Sequence, residues 1–315
     1  MAEEIDLLKL VIEVDDELIK EGAEPFKRPV VAYLRIVERL QQPNIIRPLF
    51  EHDLLGNAVN QIYKELYRQS DLSMPPMYLG AFMFRDVFFP LRVSLGYGSV
   101  LINPIDSLID VPEVTKRWLF DNHQNGLAFF DQFIDLMDFA YGLDDLEKIG
   151  KLPKDTVDYW YLAKQQLESA AATLLLGSFS NYAIIQNCCI STELLLKGAL
   201  IATGVTKKDL ASQKKGYGHN LENLVNESAK SLPNLDKETL LFVVRQFPDY
   251  VQSRYDAKGF SRSNLGTFLM NAQFISGEIL RQFSDRNCRL DFTETPDENW
   301  DFTIRTFPNK LNDVS

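Results

Sequence analysis

The chain has 315 residues, 45% hydrophobic and 24% charged, room for two cores with an ordinary globular composition. Its net charge of −11 is carried by the ends, with −7 over residues 1–24 and −4 over 290–315, so the neutral middle excludes a general electrostatic footprint for nucleic acid. No apolar run reaches membrane-span length, "MAEEIDLLKL" is acidic where a secretory signal is basic, and three cysteines cannot all pair; a cytoplasmic protein with reduced thiols is expected.

The first segment, "LLKLVIEV", alternates Leu8, Leu10, Ile12 and Val14 and predicts a strand. Helices are predicted at about 29–41, 54–69 and 112–141. The stretch "FMFRDVFFPLRVSLGYGSVLINP" (82–104) is aromatic and β-branched, broken by Pro90, Gly96 and Gly98, and reads as strand. Nine prolines precede residue 113 and none lies between Pro153 and Pro233. That shift, with the charged connector "GLDDLEKIGKLPKD", predicts a boundary within 142–155. Residues 1–150 are thereby a mixed α+β domain to which the sequence assigns no role.

The second half reads as five helices. Asp155 and Asp158 mark the start of the first, which closes at Gly177. The second runs from a Ser178 cap to Thr203, with Gly204 beyond its end. A third carries Leu221, Leu224 and Val225. A fourth spans about 236–247 before Pro248, and a fifth about 262–283 with Leu265, Leu269, Ala272, Ile275 and Ile279 on one face. Five helices with mostly short links make an up-down bundle over 151–287. "CRLDFTETPDENWDFTIRTFP" alternates around a turn and predicts a β-hairpin at 288–307, leading into an acidic tail that ends the 288–315 segment. The fold class is mainly α.

One helix, "NCCISTELLLKGALIATG", is apolar almost all round, which puts it at the centre of its bundle. Its polar stripe is Gln186, Glu193 and Lys197, in line with Ile190 and Leu200. Glu193 and Lys197 stand four apart, on one face. A charge buried alone is costly, so the two are expected to form a structural pair.

"GSFSNYAIIQNCCISTELLLKGALIATG", then "GYGHNLENLV", then "SRYDA" resembles the HEPN domain family over about 155–284. The matching residues are Glu193, Leu194, Lys197, Gly218, His219, Leu221, Arg254 and Tyr255. Many members of that family are metal-independent ribonucleases that pair an arginine with a histidine four to six residues later across a homodimer. There the histidine moves the 2′-hydroxyl proton and the arginine offsets phosphate charge. Here "FSRSNLGTFLMNAQ" supplies Arg262 but no histidine follows it, so no catalytic residue is assigned.

"RPLFEH" (Arg47, His52) and "RWLFDNH" (Arg117, His123) match the same short pattern outside the bundle and are read as chance. His219 could ligate, titrate or act as a base; capping the third helix beside Asn220 is the simpler role. Lys207, Lys208, Lys214 and Lys215 flank a glycine-containing loop that could meet a phosphate or simply be solvated. No metal spacing, phosphate loop or nucleophile elbow occurs, and no cofactor is expected.

The expectation is a binding or regulatory protein, its candidate ligand contacts Lys214, Lys215, His219, Arg254 and Arg262. The resemblance implies a homodimer and a nucleotide or RNA ligand. Neither a membrane nor double-stranded DNA is expected as a partner. The competing expectation is an RNA-cleaving enzyme with a composite site of His219, Arg254 and Arg262.

Overall fold

The computed structural model describes residues 6–40, 53–96, 102–177, 181–211, 217–249, 259–294, 300–303 and 305–309. The chain forms two compact units, which divide at Pro75/Pro76. The predicted boundary at 142–155 instead falls at the end of a long core helix and the start of the next.

In the first unit, α1 (Leu7–Lys20), α2 (Arg28–Arg39), α3 (Leu54–Leu66) and the single turn α4 (Gln69–Leu72) are all helical. The strand expected at 8–14 is α1, and no strand occurs among the described residues of this unit. Alternating apolar residues misled because a second pattern, Leu7, Val11, Val14 and Leu18 at helical spacing, is the one that seats α1. Val11, Val14 and Leu18 are buried against Ala32, Ile36, Val59 and Tyr63. The Asp6 carboxylate accepts from the Lys9 amide and caps the helix. Buried Asp15 is satisfied by the Tyr63 hydroxyl at 2.9 Å, by the Tyr67 hydroxyl and by Arg28 at 3.9 Å.

The second unit opens with an antiparallel hairpin, β1 (Tyr78–Phe84) and β2 (Val87–Val93), in the register Tyr78↔Val93 to Phe84↔Val87. It continues through α5 (Glu113–Asp121), α6 (His123–Ile149), α7 (Lys154–Leu175), α8 (Asn181–Ala202), the short α9 (Lys207–Leu210), α10 (Leu221–Ser231), α11 (Lys237–Val244), α12 (Arg262–Arg281) and α13 (Cys288–Glu294). Among the described residues the fold is mainly helical with one β-hairpin. That hairpin lies at 78–93, not 288–307, where Cys288–Glu294 is helix. Alternation in "CRLDFTE" is outweighed by α6: Arg289 bonds Asp131, and the Cys288 amide donates to Asp138 at 2.7 Å. The single helix expected at 112–141 is two, because the Asn122 carboxamide breaks the first and caps α6 through the Asn125 amide.

The bundle is built on α8, which packs against α7, α10 and α12. Trp160 of α7, fully buried, donates its indole N–H to the Leu195 carbonyl at 3.1 Å. Helix α8 is long and apolar enough to span a membrane, yet 78% of its apolar window is buried inside the protein. Its apolar excess, and that of Phe268 and Phe274 on α12, is covered within one chain. The expected cap at Asp155 is absent: Pro153 stands at the α7 N-cap, and Asp155 pairs with Lys207 at 2.7 Å. The Ser178 cap lies outside the described residues.

Helices α6 and α12 cross closely where Gly277 meets the Asp135 backbone; a Cβ there would fall 2.6 Å from the Asp135 carbonyl oxygen. The hairpin rests on α7 as well as on these two helices. Ala81 and Pro90 face each other as a non-hydrogen-bonded pair, the position where a missing N–H costs the ladder nothing, and the outward amide and carbonyl of Ala81 are both satisfied by Gln273 of α12 at 3.0 Å. Gln273 also donates to the Gln132 carboxamide oxygen at 2.8 Å, and Gln132 donates to the Met270 carbonyl. Truncation of Gln273 to alanine would orphan buried groups, and the expected loss is about 2 kcal/mol in chemical denaturation. A loss below about 0.5 kcal/mol would mean water replaces the carboxamide.

Candidate functional site

Glu193 lies mid-way along α8, nearly buried, and both oxygens are engaged. Lys197 Nζ donates to Oε1 at 2.7 Å, one turn on, and His219 Nδ1 lies 2.9 Å from Oε2. A carboxylate only accepts, so Nδ1 carries the hydrogen and the imidazole orientation is set. His219 is not the helix cap; Asn220 is, its Oδ1 accepting from the Asn223 amide at 3.0 Å. The α8 polar stripe thus reaches the entrance of α10.

Beside His219 opens a cleft of about 370 Å³, between the first turn of α10 and the end of α11. Arg245 against Glu222 and Asp249 gives it charges of both signs, Asn220 adds a neutral carboxamide, and Phe247 gives it an aromatic wall. Arg245 Nε donates to Glu222 Oε2 across it at 3.0 Å. Burial, then the Glu193 and Asp249 charges, push the Cys189 thiol up to about 12. Burial raises Cys188 well above its usual range, and with Asp138 it lifts Cys288 to about 12. All three cysteines are free and held as thiols, so none offers a thiolate nucleophile.

The other candidates disperse. Arg262 belongs to the hairpin: its Nε donates to the Asp86 carbonyl at 3.0 Å and its guanidinium lies 5.4 Å over Phe88. Arg117 is exposed on α5, whereas His123 opens α6 and stacks on Trp300 with ring centroids 5.0 Å apart. Lys207 is held by Asp155 and the Tyr159 ring. Lys214, Lys215, Arg254, Tyr255, Arg47 and His52 lie outside the described residues. Among the described residues, no three His, Cys, Asp or Glu side chains group as metal ligands would.

The densest charged cluster was not anticipated. Asp131, Asp135 and Asp138 project from one face of α6 and are almost wholly buried. Arg281 reaches Asp135 at 3.0 Å and Asp138 at 2.9 Å; Arg305 grips both Asp135 oxygens at 2.8 Å. Arg289 pairs with Asp131, which also accepts from the Thr306 and Phe307 amides. The 4-3 spacing of acids in an otherwise apolar helix is the same signal that singles out Glu193 and Lys197. It shows that the acids are inside, not what they hold, which is the C-terminal segment.

Comparison with models of known protein families, with curated proteins and with solved structures finds no match in any of the three. The fold and site define a helical bundle with a seated hairpin and a mixed-charge cleft at one pair of helix ends.

Proposed function

We propose that this is a cytoplasmic, non-catalytic binding protein whose bundle takes a nucleotide-type ligand in the cleft between α10 and α11. The observation that carries the reading is that cleft's lining: Arg245 and His219 for an anionic group, Asn220 and the carboxylates for sugar or base edges, and Phe247 as an apolar wall. His219 is pre-oriented by Glu193, so part of the ordering cost is met before a ligand arrives. The resemblance to HEPN domains supports the ligand class, and the missing histidine after Arg262 supports the absence of catalysis.

Calorimetry with AMP, ATP and a dinucleotide tests it. Saturable binding is expected, weakened about tenfold by Arg245→Gln or His219→Ala through loss of a charge-assisted bond. No heat up to millimolar nucleotide, or binding indifferent to both variants, overturns it.

The Glu193–His219 contact also favours a second reading, because a carboxylate behind an imidazole is how a general base is oriented. Under the first reading the purified protein leaves single-stranded RNA intact. Cleavage abolished by His219→Ala would establish the enzyme instead. A homodimer belongs to the same resemblance, and light scattering on the full chain measures it directly.

A further inference from the structure

A second cavity, of about 400 Å³, opens beside the hairpin turn, against β1, α5, α6 and α12. Phe82, Met83 and Phe84 of β1 form one wall, Trp118 of α5 another, and Met270 and Phe307 close it. Its volume falls within the range of small-molecule sites. Among the described residues, Arg85 and Asn125 are the two that bring a charged or carboxamide side chain to it.

These two are unspent. Among the described residues Arg85 makes no ion pair or hydrogen bond; its guanidinium is stacked 4.6 Å over the Trp118 ring. The Asn125 amide nitrogen of the backbone serves the α6 cap, whereas its side-chain carboxamide bonds to nothing described. Arg85 is also a non-glycine residue in the left-handed region, at φ 61°, in the two-residue turn between the strands. Such a conformation persists where surroundings hold it, and here Arg262 fixes the turn through the Asp86 carbonyl. Trp118 is half exposed, and beneath the Arg85 guanidinium its ring meets Phe84 edge-on at 5.4 Å.

The walls are set in advance. Phe307 is tied to Asp131 through its amide at 2.8 Å, and Met270 is fixed by Gln132. Gly266 lets α12 approach β1, since a Cβ there would meet Met83 Sδ at 2.2 Å. A preformed apolar cavity with one unpaired guanidinium and one carboxamide at its edge has a definite complement.

We infer that this cavity binds a small aromatic carboxylate, its ring between Trp118, Phe82 and Met270 and its carboxylate on Arg85 and Asn125. Among the described residues one guanidinium and no lysine line the site, so it matches a monoanion rather than a phosphate ester. The site is independent of the α10–α11 cleft: it shares no residue with it.

The test is calorimetry on the full chain with phenylacetate and 4-phenylbutyrate, using phenylacetamide as the neutral match. Saturable binding of the acids is expected, with the amide about tenfold weaker for want of the charged partner. Arg85→Gly keeps the left-handed turn without strain; it should leave the melting temperature unchanged and weaken the acids about tenfold. Ala128→Trp, which fills the cavity from α6, should remove binding. The inference is overturned if neither acid binds below about millimolar, if the amide binds as well as the acid, or if Arg85→Gly leaves affinity intact. A dimer dissolved by Ala128→Trp would make the cavity a self-association surface and overturn it equally.

Discussion

Replacing Asp135 by alanine is expected to destabilise the second unit by about 3–5 kcal/mol, the range for breaking a buried ion pair from one side. Asp135 is fully buried and accepts from two guanidiniums. With it gone, Arg281 still has Asp138 and Glu278, at 2.9 Å each, but among the described residues Arg305 keeps no carboxylate within bonding distance, only the Phe307 carbonyl and the face of Phe274. The cost therefore arises from a stranded cation, not from the loss of an attraction. A paired replacement, Asp135→Leu with Arg305→Met, should recover most of it, because two apolar side chains leave nothing unsatisfied. Thermal melts would show the single change as a fall of roughly 10 °C for a unit of this size. A shift under about 2 °C would mean that water enters the cluster.

The same cluster sets an acid limit. Burial alone would raise Asp135, but Arg305 and then Arg281 and Arg289 outweigh it and hold the carboxyl below its usual value. A depressed folded pKa contributes stability that is present above the usual carboxylate range and is lost as pH falls through the folded value. Asp138, one turn away, goes the other way: burial raises it, and Arg281 with the Cys288 amide offsets only part. Its contribution is present at low pH and lost as pH rises through its folded value, so Asp138→Asn should cost less than Asp135→Asn at pH 7.

How far the sequence shows this architecture depends on where each element's partners lie. The helices α7, α8, α10 and α12 were legible because their apolar spacing is a local property that tertiary contacts only reinforce. The hairpin expected at 288–307 failed for the opposite reason: Cys288 and Arg289 are drawn into a helix by Asp138 and Asp131, about 150 residues earlier. The division at 142–155 followed proline density, a sign of loops, whereas α6 belongs to the same core as α12 through Gly277. His219 was visible as a chemical group; its carboxylate was visible too, on another helix. No spacing rule joins positions 193 and 219, since only the packing of α10 on α8 does so.

Glu193→Ala should cost about 3 kcal/mol, the lower end for a one-sided break of a buried pair. The glutamate side chain is 11% exposed and Lys197 14%, so the ammonium would be left on an apolar helix with little water. His219, 61% exposed, adds little to that cost because solvent can replace its carboxylate. A double-mutant cycle with Lys197→Met separates the terms: the double change should be milder than the sum of the singles by about 1–3 kcal/mol. Glu193→Gln keeps an acceptor for Lys197 but sets an amide N–H against His219 Nδ1, which must then accept and shift its hydrogen to Nε2. It should therefore spare most of the stability while altering whatever His219 does in the cleft. An unchanged melting temperature for Glu193→Ala would remove the structural pair. Stability retained in Glu193→Gln with nucleotide binding lost would instead mark Glu193 as the residue that positions His219.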